Sequence, residues 1–181
     1  MVNVINESGM DFIVDNAFQI ENSMIYKGLG EGVKSVEFVR IVDDKLLFVE
    51  AKTTFPNPNN PSEDEPNRFQ DEVEDICEKF VHSLNLFLSV EVGVAEDTSA
   101  NEINKPETVT LVLVLVIKKH EHGWCKPVKF ELERALPSYF TKIWKPNILV
   151  INQEILMQHY QCSQQLPLPC SAGLQHGLKH V

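Results

Sequence analysis

No apolar run in the chain approaches the ~20 residues that a bilayer-spanning helix needs; the longest, Val109 to Ile117, is strand-sized. The first residues, MVNVINESGMD, lack a basic segment followed by an apolar one, so no signal peptide is expected. Cysteine is scarce and scattered. Cys77, Cys125, Cys162 and Cys170 form no CxxC pair and, without a signal peptide, read as reduced thiols in a cytoplasmic protein. Positive charge is short as well: 16 Lys and Arg face 26 Asp and Glu, a formal net charge of −10. That balance argues against a protein that coats nucleic acid, because phosphate binding needs a positive surface. It leaves room for an enzyme that touches DNA through a local basic patch. Gly28, Gly30 and Gly32 lack the spacing of a dinucleotide-binding turn and read as a plain turn. There is no Ser-His-Asp logic and no internal repeat.

What is present fits one globular domain. The 181 residues are 43% hydrophobic, enough for a proper core. Residues 1–160 read as a single α/β domain and 161–181, polar with prolines and a glycine, as a loosely held tail. Met10, Ile13, Val14 and Ala17 have helical spacing, which predicts a first helix over 7–18; a strand is expected around Phe18 to Lys27. Phe69, Val73, Ile76, Phe80 and Leu84 predict a long helix from Asn67 to Val92, with Gly93 ending it. Four prolines in FPNPNNPSEDEP mark the loop before it, and residues 95–106 read as another loop. Val109–Ile117 and Asn147–Ile151 read as buried parallel strands with room for a crossover helix between them. The stretch from Phe130 to Trp144 fits either period, interrupted at Pro137. The expected fold is α/β: a mixed central sheet flanked by helices, in the order αβββαβαβ.

The most informative stretch is Val36 to Lys52, VEFVRIVDDKLLFVEAK. With Asp43-Asp44 as the centre of a two-residue turn, Ile41 faces Leu46, Val39 faces Phe48 and Glu37 faces Glu50. Alternation puts all three pairs on one face, with Lys52 beside the two acids. Like charges directly opposed on neighbouring strands repel by roughly 0.2–1 kcal/mol. Either a hard divalent cation or the lysine alone would offset that repulsion. A solvated Glu37–Lys52–Glu50 salt-bridge cluster is thus the plainer account of the same residues.

An acid on the first strand of a hairpin, followed by acid-x-Lys at the end of the second, resembles the PD-(D/E)XK nucleases of the restriction-endonuclease-like fold. The residues that carry it are Glu37 and Glu50-Ala51-Lys52; the order of elements over roughly residues 5–155 is similar too. The first acid is Glu where that family commonly has Asp. The resemblance implies that Glu37, Glu50 and the Ala51 carbonyl hold Mg²⁺ or Mn²⁺. It implies that Lys52 orients or activates the attacking water, and that the reaction is phosphodiester hydrolysis in DNA. Glu7 is a further acid of the kind some members carry. Because members of that fold can lose activity, the alternative is an inactive module acting in protein binding or regulation, a homodimer among its forms.

Other candidates are weaker. Residues 118–145 hold seven bases against three acids, with Trp124, Tyr139, Phe140 and Trp144 among them, a composition that suits contact with DNA. An ordinary amphipathic helix with Phe140 and Trp144 in the core explains them equally. His120, His122 and Cys125, and in the tail His159, Cys162, Cys170, His176 and His180, match no structural-zinc spacing. Cys77 reads as core.

Overall fold

The computed structural model describes residues 2–15, 17–30, 32–57, 67–95 and 108–162. The tail beyond 162, most of the 95–106 loop and much of the proline-rich loop lie outside these. The described chain is α/β, with a mixed five-stranded sheet in the order β3-β4-β5-β6-β7. The strands are β3 (Ala17–Phe18), β4 (Phe38–Val42), β5 (Lys45–Thr54), β6 (Thr110–Lys119) and β7 (Asn147–Asn152). β3, β4 and β5 are antiparallel neighbours; β5, β6 and β7 run parallel.

The N-terminal helix expected over 7–18 is instead a hairpin. β1 (Val2–Glu7) pairs antiparallel with β2 (Met10–Asp15) as a separate two-stranded sheet. Ser8 and Gly9 join them at φ 52° and 69°, the left-handed pair that two-residue hairpin turns demand. Met10, Phe12 and Val14 are buried and the residues between them exposed, a period of two. Met10 and Val14 satisfy both periods; the Ser-Gly turn decides between them. The strand expected over 18–27 is also mostly absent. After Phe18 the chain makes a single turn at Ile20–Asn22 and then α1 (Met24–Gly28), whose first turn is capped by Ser23 Oγ accepting from Tyr26 N at 3.2 Å.

The long helix forms as α2 (Arg68–Glu91), and Gly93 at φ 74° lies just past its end. It connects β5 to β6. The ambiguous stretch resolves into two helices, α3 (His122–Ala135) and α4 (Ser138–Trp144), split at Leu136-Pro137. α5 (Gln153–Cys162) follows β7.

Two cores sandwich the sheet. On one face Val39, Leu46, Phe48, Leu111, Leu113, Leu115 and Ile117 pack with Ile76, Phe80, Leu84 and Phe87 of α2 and Val128, Leu132 and Phe140 of α3 and α4. On the other, Phe38, Leu47, Val49, Val112, Val114 and Val116 pack with Ile5, Met10, Phe12 and Val14 of the hairpin and Leu156 of α5. β6 is therefore apolar on both faces because both are covered. No helix among the described residues is long and apolar enough to cross a membrane.

Candidate functional site

The hairpin register holds where the ladder forms: Ile41↔Leu46, Val39↔Phe48 and Phe38↔Val49 are partners, and the turn residue Asp43 sits at φ 55°. The expected Glu37↔Glu50 pair is not part of that ladder. Glu37 N donates instead to the Val49 carbonyl at 3.0 Å, so Glu37 and Phe38 both oppose Val49. The ladder ends there: the Val36 amide donates to Ser83 Oγ of α2 at 2.8 Å, and Val36 and Val39 share one core cluster although three residues apart. The two acids still act on each other. Among the charges around Glu37, Glu50 has the largest effect, followed by Glu7, Lys79 and Glu21.

Glu50 lies in the parallel part of the sheet, opposite Leu115, and is wholly buried. Its Oε1 accepts from Lys79 Nζ at 2.7 Å, while its Oε2 is buried without a hydrogen-bond partner. The Glu37 carboxylate makes no hydrogen bond or ion pair among the described residues. Burial, then repulsion from Glu50 and Glu7, pushes Glu37 up to about 8. Burial also raises Glu50, to about 7, against the opposing pull of Lys79 and Lys52. Burial works against a charged Lys79, but Glu50, Glu37 and Asp75 outweigh it and its pKa is raised. Both carboxylates are thus poorly stabilised as anions.

Lys52 does not bridge Glu37 and Glu50. Its Nζ lies 3.3 Å from Glu72 Oε2 and 3.4 Å from Asp75 Oδ2, both on α2. Asp75 also meets Lys34 at 3.0 Å, and Lys34 reaches Glu78 at 2.7 Å. Burial opposes the Asp75 anion, yet Lys34, Lys52 and Lys79 together hold it below its usual value. The sequence reading missed Lys79, Asp75 and Glu72. Their spacing of three and four residues makes a polar stripe along α2 that could have been read beside its apolar one.

Ala51 is buried, and its carbonyl accepts from Ser8 Oγ at 2.8 Å. The hairpin tip is further tied down by Thr53 Oγ1 donating to the Ser8 carbonyl at 3.2 Å and by Lys118 Nζ donating to the Gly9 carbonyl. Glu7 stands at the end of β1 rather than on a helix, and it reaches Glu37 electrostatically.

The basic stretch 118–145 is divided by the fold. Lys118 and Lys119 end β6, near the level of Lys52, which pairs with Ile117. Lys142 and Lys145 lead into Asn147, which pairs with Val112 toward the other end of the sheet. Phe140 is buried, whereas Tyr139 and Trp144 are exposed, so Trp144 is not the core residue considered above. His120 packs edge-on against Phe55 and Trp124, Cys125 is buried and His122 is exposed. Among the described residues no three His, Cys, Asp or Glu side chains are placed to share a metal ion. The side chains of His159 and Cys162, with Cys170, His176 and His180, lie outside the described residues. Cys77 is core, its thiol pushed up to about 12 by burial and then by Glu74. A cavity of about 300 Å³ between α2 and the α3–α4 junction is lined by Glu74, Glu78, His82 and Tyr139 among others, and by none of the hairpin acids.

The raised carboxylates make stability depend on pH. A carboxyl raised in the folded state stabilises it fully below the unfolded value, and that contribution is lost as pH rises through the folded one. For Glu37 the window runs from its ordinary value of 4.5 to about 8. Glu37→Gln removes the anion without removing a bonding partner. It is expected to leave Tm unchanged near pH 4 and to raise stability by roughly 1 kcal/mol at about pH 8.5, discounted for the partial exposure of Glu37. Thermal melts at the two pH values measure this; an equal shift at both would remove Glu37 as the titrating group.

Comparison with known proteins finds no matching family model, no matching curated protein and no matching solved structure.

Proposed function

We propose that the chain is a metal-dependent, nuclease-like domain that hydrolyses phosphodiester bonds in DNA, with Glu37 and Glu50 at its centre. One observation carries the reading: a wholly buried carboxylate has one oxygen held by Lys79 and the other unpartnered, beside a second partnerless carboxylate that repels it. The arrangement of strands supports it. Glu37 immediately precedes β4 and Glu50 lies on β5, and α2 then crosses to the buried parallel strand β6, as the resemblance to the PD-(D/E)XK nucleases implies.

The donor set fits Mg²⁺ or Mn²⁺ in kind, because carboxylate and carbonyl oxygens are what hard cations take. Glu37 and Glu50 would hold the ion, with the Ala51 carbonyl as a third donor. That carbonyl already accepts one hydrogen bond from Ser8, and a carbonyl oxygen has a second lone pair. When bound, such an ion lowers the pKa of water and neutralises charge on the phosphate. The protein's own part is to keep Glu50 dry and fixed and to place the ammonium groups of Lys52 and Lys79 around the acids. Lys52 is the group proposed to orient the attacking water, and Lys118 and Lys119 are the bases of the 118–145 stretch that follow Ile117, the partner of Lys52.

A second reading is an inactive module of the same fold. The observation in its favour is that Glu50 is already paired with Lys79, and Lys52 with Glu72 and Asp75, so both lysines and Glu50 have ionic partners without a ligand. Millimolar Mg²⁺ or Mn²⁺ separates the two. At tenfold over its dissociation constant, an ion that binds only the native state adds roughly 1.4 kcal/mol, or about 3–6 °C in Tm. Glu50→Ala is expected to abolish the shift and also cleavage of plasmid or single-stranded DNA. Lys52→Ala should lose cleavage while keeping the shift. No shift and no cleavage in the wild type would leave the module as the account of this fold.

A further inference from the structure

The acid-x-Lys pattern nominates Lys52 as the ammonium that serves the acids, but the side chains are arranged otherwise. Lys52 is drawn to α2 by Glu72 and Asp75, while Lys79 of α2 comes down onto Glu50. The Lys79–Glu50 contact, at 2.7 Å, is shorter than either contact of Lys52. Its acceptor is fully buried and the Lys79 side chain is only 19% exposed. This is the shielded environment in which a charge-assisted hydrogen bond fixes geometry.

Resting on the nuclease reading above, we propose that Lys79 is a positioning residue for metal binding: by holding Glu50 Oε1 it fixes the carboxylate so that Oε2 is the oxygen presented to the ion, while Lys52, held by Glu72 and Asp75, takes no part in presenting that oxygen. A Glu side chain ordered by burial loses rotamer freedom. In the folded protein that loss has already occurred, before any ion arrives. A carboxylate anchored through one oxygen is left to bind through the other alone. Hydrogen-bond partners of metal ligands typically contribute 10–100-fold to metal affinity.

The sign of the effect makes the idea testable. By Coulomb's law alone, deleting an ammonium next to a cation site should tighten cation binding. Loss of positioning should weaken it. Calorimetric titration of the 181-residue chain with Mn²⁺, well below Tm, reads this without relying on activity. The expected result is a roughly 10–100-fold weaker Kd for Lys79→Ala and recovery to within a few-fold of wild type for Lys79→Arg. Lys52→Ala should bind as tightly as wild type or more tightly. Lys79→Gln, which keeps a hydrogen-bond donor without the charge, stands in if the alanine variant does not fold, and it is expected to fall between alanine and arginine. Unchanged or tighter binding by Lys79→Ala or Lys79→Gln, with wild-type binding intact, would overturn the positioning role and leave the nuclease reading standing. A wild type that does not take up Mn²⁺ would overturn both.

Discussion

Phe48→Ala is expected to lower stability by roughly 3–5 kcal/mol, the usual range for deleting a buried phenyl ring. At about 2–4 °C per kcal/mol for a chain of this size, Tm should fall by roughly 6–20 °C. Phe48 is wholly buried in the middle of β5 and meets Phe87 of α2 edge-on, ring centroids 5.9 Å apart. Opposite it stand Val39 on β4 and Leu113 on β6. The ring thus sits between the strand that carries Glu50 and the helix that carries Lys79. Neighbours on both sides belong to regular elements, so the gap has little chance to close by collapse. Ile41→Ala, at a half-buried position of the same hairpin, should cost distinctly less. Denaturant unfolding followed by circular dichroism measures both. A loss below about 1.5 kcal/mol for Phe48→Ala would mean that the two elements are not locked together at this point.

Lys79→Met should produce a deficit that depends on pH. Removing one partner of a buried ion pair commonly costs 3–5 kcal/mol, because the other charge is stranded. Glu50 has an escape: it can keep a proton. In the wild type its folded value is already raised to about 7, so stability falls as pH rises from the ordinary carboxylate range toward that value and then levels off. Without Lys79 the value moves higher, and the fall continues. The deficit should therefore be small near pH 5 and grow by about 1.4 kcal/mol per pH unit above 7. At about pH 8.5 that amounts to roughly 2 kcal/mol, a Tm lower by about 4–8 °C. Melts across this range decide the matter. A deficit of the same size at every pH would mean that Lys79 acts by packing alone.

The parts of the structure legible in the sequence were those set by local pattern. The β4–β5 register followed from alternation on either side of Asp43-Asp44, and α2 from apolar residues three and four apart. The buried run in β6 announced a strand covered on both faces. The N-terminal misreading came from residues that fit two periods, where the turn chemistry of Ser8-Gly9 carried the deciding signal. The loss of the Glu37–Glu50 pair was invisible for a different reason: it depends on which carbonyl the Glu37 amide reaches, and residue types do not state that. Lys79 was missed because its partner lies 29 residues away. A helix can show a polar stripe in its sequence, but the strand beneath that stripe is chosen by tertiary packing.

The turn at Ser8-Gly9 has a practical consequence. β1 runs toward Ala51 and β2 runs back, so Val2, paired with Asp15, lies at the far end of the hairpin from the three bonds that dock its tip. Six residues of strand span roughly 20 Å. A fluorophore or affinity handle joined ahead of Val2 would start that far from the docked tip and leave the hydrogen bond on the Ala51 carbonyl intact. The same handle spliced between Ser8 and Gly9 would prise the loop from the ends of β5 and β6.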